Sequence, residues 1–179
     1  MAECKQAVLV EKETAHRDCL TGCYDRMTIQ HLVDLCFLKS DVRQSHAMFV
    51  IDVDNFKDYN DKYGHANGDL CLKHFAATMK KCFPKDSILG RYGGDEFVVY
   101  IKNAASDDAH RYMDEFQREI SHLMMSGGEH VTVSASAGGV AFIGEGEDFV
   151  SLCRSADNML YDVKRNGKGT FKIKGAKNM

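Results

Sequence analysis

The chain has 179 residues, of which 44% are hydrophobic and 27% are charged, and its formal net charge is −3. This length and apolar content predict a single domain with one sizeable core. The weakly acidic balance argues against a general nucleic-acid binder, because such proteins usually carry a basic surplus. No run of about 18 apolar residues is present, so no membrane span is predicted within the chain. Seven scattered cysteines without a Cys-x-x-Cys pair indicate reduced thiols in a cytoplasmic protein.

The first half of the chain predicts a helix, a buried strand and a second helix, in that order. Apolar residues at helical spacing predict the first helix over residues 28–38, with Asp25 before it as an N-cap. The continuous apolar run 47–51 predicts a buried strand that ends in the carboxylate of Asp52. Residues 68–82 have one apolar helical face and predict the second helix.

The second half predicts a hairpin followed by alternating helices and strands. Two short apolar runs, 87–92 and 96–101, flank a Gly-Gly-Asp turn, which is a pattern typical of a β-hairpin. The later predicted elements are a helix over 107–125, a strand over 131–140, a helix over 149–165 and a strand over 170–173. Together the elements predict an α/β (α+β) sandwich in which helices wrap a central mixed β-sheet.

Two acids and a lysine follow the predicted strand 47–51. Mg²⁺ in proteins prefers one or two carboxylates together with phosphate oxygens, so Asp52 and Asp54 favour a site for a hard metal ion. Lys57 then suits a phosphate as a point charge. The alternative is an ordinary solvated strand end, and this segment alone does not decide between the two.

The hairpin turn holds two further acids, Asp95 and Glu96, at a fixed place. If the turn lies beside the end of the 47–51 strand, Asp52 and Asp95 share one metal ion. Taken alone, a Gly-Gly-Asp turn is better explained as a tight turn whose acids are exposed by accident. The sequence therefore yields two candidate halves of a metal site and leaves their adjacency open.

Five ordered motifs resemble those of the GGDEF family of diguanylate cyclases. Residues 93–97 have the sequence GGDEF, which is the family signature. The other four are DCLTGCYDR at 18–26, DVDNFKDYND at 52–61, YGHANGD at 63–69 and ADNMLYDVK at 156–164. The resemblance covers about residues 18–171 and implies a domain over 18–174, after a helical lead-in over 1–17 and before a tail over 175–179.

The resemblance implies a fold similar to that of the nucleotide cyclases and the polymerase palm. Such an enzyme condenses two GTP molecules into cyclic di-GMP and two pyrophosphates with Mg²⁺ or Mn²⁺. One domain holds one GTP and the product contains two guanylates, so catalysis is expected in a homodimer. A cytoplasmic protein, or the cytoplasmic domain of a larger sensor protein, is implied, with a sensory or receiver domain upstream.

The resemblance also assigns roles to individual residues. Asp52, Asp95 and the Val53 carbonyl are expected to ligate the metal, and Asp95 and Glu96 are the expected catalytic residues. The residues expected to bind GTP are Asn55, Phe56, Lys57, Lys164 and Lys168 at the phosphates, and Asn60 and Asp69 at the guanine. A carboxylate suits guanine, whose N1–H and 2-amino groups are donors, and repels the N1 acceptor of adenine.

Some of these residues have simpler explanations, and the chain departs from the family pattern at several positions. Asn60 is also typical of a turn, and Asp69 of an acid near a helix N-terminus. Asp25 replaces the usual asparagine of the first motif. Lys168 and Gly169 stand where the family usually has Arg-Asn, and lysine keeps the charge but lacks the bidentate fork of arginine.

Two alternatives to a cyclase remain open at this point. One is a catalytically silent module that binds GTP and signals through its conformation, and the presence of Asp52, Asp95 and Glu96 argues against it. The other is a structural or dimerisation domain attached to a sensor, which predicts no binding of GTP with Mg²⁺.

Overall fold

The computed structural model describes residues 15–39, 44–121, 123–124, 130–143 and 148–175. Most of the helical lead-in expected over 1–17 lies outside these residues. Arg17, at its end, forms an isolated antiparallel bridge with Tyr24. No helix in the described part of the chain is long and apolar enough to cross a membrane, and no disulfide joins any of the six cysteines found there.

Within those residues the fold contains five helices and seven strands. The helices are α1 (Arg26–Lys39), α2 (Phe56–Tyr63), α3 (His65–Cys82), α4 (Ser106–Ile120) and α5 (Phe149–Arg165). The strands are β1 (Ser45–Val53), β2 (Ile88–Gly93), β3 (Glu96–Ile101), β4 (Leu123–Met124), β5 (His130–Val131), β6 (Ala135–Ile143) and β7 (Phe171–Lys174). The main sheet has the order β2-β3-β1-β6-β7 and is antiparallel except between β6 and β7. This confirms the predicted mixed sheet wrapped by helices.

Three details of the sequence prediction were wrong. Helix α2 was not predicted, because it is short and mostly polar and none of its residues is fully buried, so its apolar pattern is weak. Helix α4 ends at Ile120 rather than at residue 125, because Leu123–Met124 pairs with His130–Val131 as a short strand. Strand β6 begins at Ala135 rather than at residue 131.

The side chains of β1 alternate between two hydrophobic cores, one on each face of the sheet. Phe49 and Ile51 pack in the core that α3 and α4 cover. Met48 and Val50 point to the opposite face and pack in the core that α1 and α5 cover. Asp52 continues the second series at a spacing of two residues, so its carboxylate lies on the face covered by α5.

His46 is a buried histidine in the second core, near the start of β1. Its Nδ1 lies 3.2 Å from the Tyr100 hydroxyl. Its Nε2 has no hydrogen-bond partner among the residues that the structure describes. Burial lowers the pKa of His46 below its ordinary value of 6.5, and the nearby charge of Lys102 lowers it further. The folded protein therefore resists protonation of this ring.

We expect His46 to make the fold less stable in mild acid. Above its ordinary pKa of 6.5 the ring is neutral in both states. Below that value the unfolded chain binds a proton at this ring, whereas the folded chain binds it only near its own, lower pKa. The free energy of unfolding therefore falls as the pH decreases through this range. Denaturant titrations at about pH 7.5 and pH 5.5 measure this fall.

The decrease in the free energy of unfolding between the two pH values should be smaller in His46→Phe than in the wild type. The exposed His110 supplies a matched control, and His110→Gln should lose as much stability as the wild type. Half-buried His74, whose pKa is also lowered by burial, accounts for part of the loss that remains in His46→Phe. Equal losses in the wild type and in His46→Phe would contradict the assignment.

Candidate functional site

The hairpin between β2 and β3 lies beside the end of β1. Asp52 is the register partner of Glu96 in the antiparallel pair of β1 and β3. The Val53 N–H donates to the Asp95 carbonyl at 3.3 Å. Because opposed residues of neighbouring strands point to the same face, the Asp52 and Glu96 carboxylates share one face. The structure thus shows the adjacency that the sequence left open.

The acids at this sheet end are packed closely enough to disturb one another. Burial raises the pKa of Asp52, an effect that Lys164 opposes and that the charges of Asp95 and Asp54 reinforce. Burial likewise raises the pKa of Glu96, and its neighbouring carboxylates raise it further, against Lys164. Carboxylates held together against their mutual repulsion suit a divalent cation, which relieves the repulsion.

Lys164, in the last turn of α5, lies against Asp52 rather than apart from the acids. Its Nζ is 2.8 Å from Asp52 Oδ2, and the Asp52 side chain is only 13% exposed. The sequence predicted this lysine at the phosphates, and the structure places its positive charge at the acids. A cation therefore already neutralises the position where a metal ion is expected.

The residues present fit a small magnesium ligand set. In the described part of the chain no group of three or more His, Cys, Asp or Glu side chains is arranged to hold a metal ion. Two carboxylates, Asp52 and Asp95, with a backbone carbonyl at Val53 would make up the smaller set that Mg²⁺ uses when phosphates complete its coordination. The Val53 side chain is buried in the core and takes no part in this set.

A turn with a left-handed residue forms the expected phosphate side. Asn55 has a φ of 54° and directly precedes α2. Lys168 Nζ donates to Asn55 Oδ1 at 2.7 Å, so the structure brings these two predicted residues together. Phe56 and Lys57 are the first residues of α2, where backbone N–H groups have no partner within the helix and can bind an anion.

The expected guanine side lies between α2 and α3. Asn60 Oδ1 is buried and has no hydrogen-bond partner within the described ranges. A Cβ on Gly68 would lie 1.8 Å from that oxygen, so only glycine leaves room for the Asn60 side chain. Asp69 follows Gly68 directly and is exposed. An unsatisfied buried acceptor beside an open carboxylate suits a ligand that has hydrogen-bond donors.

Asp54 was a possible metal ligand in the sequence, and the structure uses its carboxylate elsewhere. Its Oδ1 accepts from Ser136 Oγ at 2.6 Å. Its Oδ2 accepts from Ser134 Oγ at 2.9 Å and from the Gly169 N–H at 3.0 Å.

Arg91 is a site-supporting residue that the sequence analysis missed. Its Nε and Nη2 donate to the Gly94 carbonyl at 3.0 and 2.7 Å, and its Nη1 lies 3.1 Å from Asp18 Oδ2. Burial alone would raise the pKa of Asp18, but hydrogen bonds from Thr21 and Arg91 outweigh burial and hold that pKa below its ordinary value. The first motif thus fixes the turn that holds Asp95.

Comparison with known proteins agrees with the resemblance. Residues 15–170 match the family model described as diguanylate cyclase, GGDEF domain. The chain is 30% identical over 158 residues to the diguanylate cyclase DgcM of Escherichia coli, covering 88% of this chain and 38% of DgcM. It is 31% identical over 157 residues to the cyclic di-GMP phosphodiesterase PdeR of the same organism, covering 88% of this chain and 24% of PdeR. The chain thus spans less than half the length of either relative.

A solved structure shows the same fold. The GGDEF domain of the Pseudomonas aeruginosa protein TpbB, also called YfiN, superposes with a TM-score of 0.83 at 28% sequence identity. The match covers 88% of this chain and 94% of that one. The mixed sheet and its helices therefore form the palm-like cyclase fold that the sequence predicted.

Proposed function

The chain belongs to the GGDEF family of diguanylate cyclases, and we propose that it condenses two GTP molecules into cyclic di-GMP and two pyrophosphates. The observation that supports this most directly is the convergence of Asp52, Asp95 and Glu96 at one end of β1. The raised pKa values of Asp52 and Glu96 fit a site made for a divalent cation.

Asp52, Asp95 and the Val53 carbonyl would hold Mg²⁺ or Mn²⁺. When bound, the ion neutralises the triphosphate and polarises the α-phosphate under attack. Glu96 has a raised pKa and lies beside Asp52, which suits it to accept the proton of the attacking 3′-hydroxyl. The Lys164 side chain is flexible, so its ammonium leaves Asp52 and contacts a phosphate oxygen when GTP binds.

The other predicted residues bind the nucleotide. Asn55, the N-terminal N–H groups of α2 at Phe56 and Lys57, and the Lys168 ammonium line the triphosphate. Asn60 and Asp69 read the guanine, and the missing partner of Asn60 Oδ1 is then a donor of the base.

Catalysis requires two copies of the chain. Each domain holds one GTP, so each 3′-hydroxyl attacks the α-phosphate on the facing domain. Specific activity should rise with protein concentration over the range in which light scattering detects dimers. The experiment measures initial rates over about a hundredfold concentration range that spans the dimer dissociation constant. A flat profile from a demonstrated monomer would overturn the homodimer.

A second candidate function is a silent module that binds GTP and signals through its conformation. The similarity to the phosphodiesterase PdeR favours it. The presence of all three acids favours the cyclase, because a module that only binds GTP has no need of Glu96 as a proton acceptor. In either case we propose that residues 18–174 form the functional domain. We place it in the cytoplasm, downstream of a sensory or receiver domain.

A further inference from the structure

Asp54 is a buried acid that has no part in the proposed chemistry. It lies two residues after Asp52, and its side chain has every oxygen engaged. Three protein donors, namely Ser134 Oγ, Ser136 Oγ and the Gly169 N–H, bind it at 2.6–3.0 Å. Ser134 directly precedes β6 and Ser136 is the second residue of that strand, whereas Gly169 lies in the turn between α5 and β7. Asp54 therefore joins three separate parts of the chain.

The turn that Asp54 holds has an unusual backbone. Gly167, Lys168 and Gly169 all have positive φ angles, of 125°, 61° and 63°. The left-handed region is unfavourable for lysine and persists only where the surrounding structure enforces it. The Gly169 N–H bond to Asp54 is one such constraint, and a weaker bond from the same N–H to Ser136 Oγ at 3.2 Å is another.

The same turn delivers Lys168 to the phosphate side of the site. Lys168 Nζ donates to Asn55 Oδ1, and Asn55 is the residue after Asp54. Asp54 is therefore the chain neighbour of Asn55, and its carboxylate accepts a hydrogen bond from Gly169, the chain neighbour of Lys168. A single carboxylate fixes both ends of the Lys168–Asn55 contact.

We propose that Asp54 is a positioning residue, which sets the affinity for the triphosphate by holding the Lys168 turn against Asn55. It touches neither substrate nor metal. The proposal rests on the proposed binding of GTP and deepens it. The guanidinium of an arginine would bind two phosphate oxygens at once, whereas lysine offers a single ammonium. Phosphate binding by Lys168 therefore depends more strongly on where its backbone is held.

Asp54→Asn tests the proposal, because asparagine has nearly the same shape but only one acceptor oxygen. Its amide group cannot accept from Gly169 and both serines at once. We expect hydrogen exchange at the Gly169 amide to accelerate about tenfold, because losing one hydrogen bond to a charged group typically has an effect of this size. Affinity for 3′-deoxy-GTP with Mg²⁺, measured by calorimetry, should fall by about the same factor. The KM for GTP should rise while kcat changes by less than about threefold.

A double-variant cycle identifies the route of the effect. If Asp54 acts through Lys168, then Asp54→Asn combined with Lys168→Ala should bind the analogue no more weakly than Lys168→Ala alone. Additive losses would overturn the proposed route. Ser136→Ala removes one hydrogen bond to Asp54 and leaves the Gly169 bond to Oδ2. It should therefore weaken binding of the analogue in the same way but by less. This variant replaces Asp54→Asn if Asp54→Asn does not fold.

Asp148 provides the matched control for a purely structural role. Its carboxylate caps α5 by accepting from the Ser151 N–H at 2.7 Å. Asp148→Ala should lower stability by removing this cap, without changing Gly169 exchange or the KM for GTP. If Asp54→Asn behaves like this control, Asp54 has only a structural role and the proposal is overturned. If the wild type does not bind the analogue, the proposed function fails, whereas the exchange measurement still reports whether Asp54 holds the turn.

Discussion

Asp95→Asn is expected to lower the rate of cyclic di-GMP formation by about a hundredfold or more while the fold survives. The side chain lies in the hairpin turn beside Asp52 and is only partly buried, so its replacement removes no core packing. An amide has no charge to offer a divalent cation, so the proposed metal loses one of its two carboxylates. Initial rates with GTP and Mg²⁺, together with a denaturant titration of each protein, measure the two effects separately.

Asp108→Asn is the control for the loss of a carboxylate as such. Asp108 lies on α4, away from the acids of the site, and forms an exposed ion pair with Arg111. This variant should keep wild-type activity, because an exposed pair of this kind contributes little. If Asp95→Asn also keeps near wild-type activity, the assignment of Asp95 to the metal is wrong.

Gly138→Ala is expected to destabilise the fold by about 3 kcal/mol, at the upper end of the usual overpacking range. Gly138 lies in β6 directly beneath α5. A Cβ there would lie 2.1 Å from the Ala156 carbonyl oxygen and 2.2 Å from the Leu160 nitrogen. Both are backbone atoms, so the helix itself must move. Since the last turn of α5 carries Lys164, any folded variant should also lose activity.

Gly175→Ala supplies the matched control, because no atom lies within 4 Å of a Cβ at that position and its φ is not in the left-handed region. Its unfolding midpoint should equal that of the wild type. Denaturant unfolding of both variants decides the point, and an unchanged midpoint for Gly138→Ala would show that α5 adapts more easily than its backbone contacts indicate.

The elements with apolar periodicity were predictable from the sequence. Helix α5 was predicted over its observed bounds, since its buried residues recur at helical spacing and Asp148 with Ser151 forms a capping box at its start. Helix α2 was missed because none of its eight residues is fully buried, and only Phe56 and Tyr59 pack partly against a core. It lies between Asn55 and Gly64, which both have positive φ angles, and it packs against α3.

The candidate site was predictable only as separate motifs. Its residue types followed from the family resemblance, but the adjacency of Asp52 and Asp95 depends on the pairing of β1 with β3. The role of Asp54 depends on donors 80, 82 and 115 residues away. The role of Arg91 likewise depends on Asp18, 73 residues earlier. Such contacts leave no local pattern, so motif spacing alone did not reveal them.

The proposed cyclase activity is tested most directly by identifying the products that the purified chain forms from GTP and Mg²⁺. The chain should be incubated at a concentration where dimers are present, and the nucleotides separated by chromatography and identified by mass. A diguanylate cyclase yields cyclic di-GMP with two pyrophosphates per molecule, and no product when Mg²⁺ is chelated. Recovery of unchanged GTP from a dimer that demonstrably binds it would contradict the proposed cyclase activity and establish the silent signalling module instead.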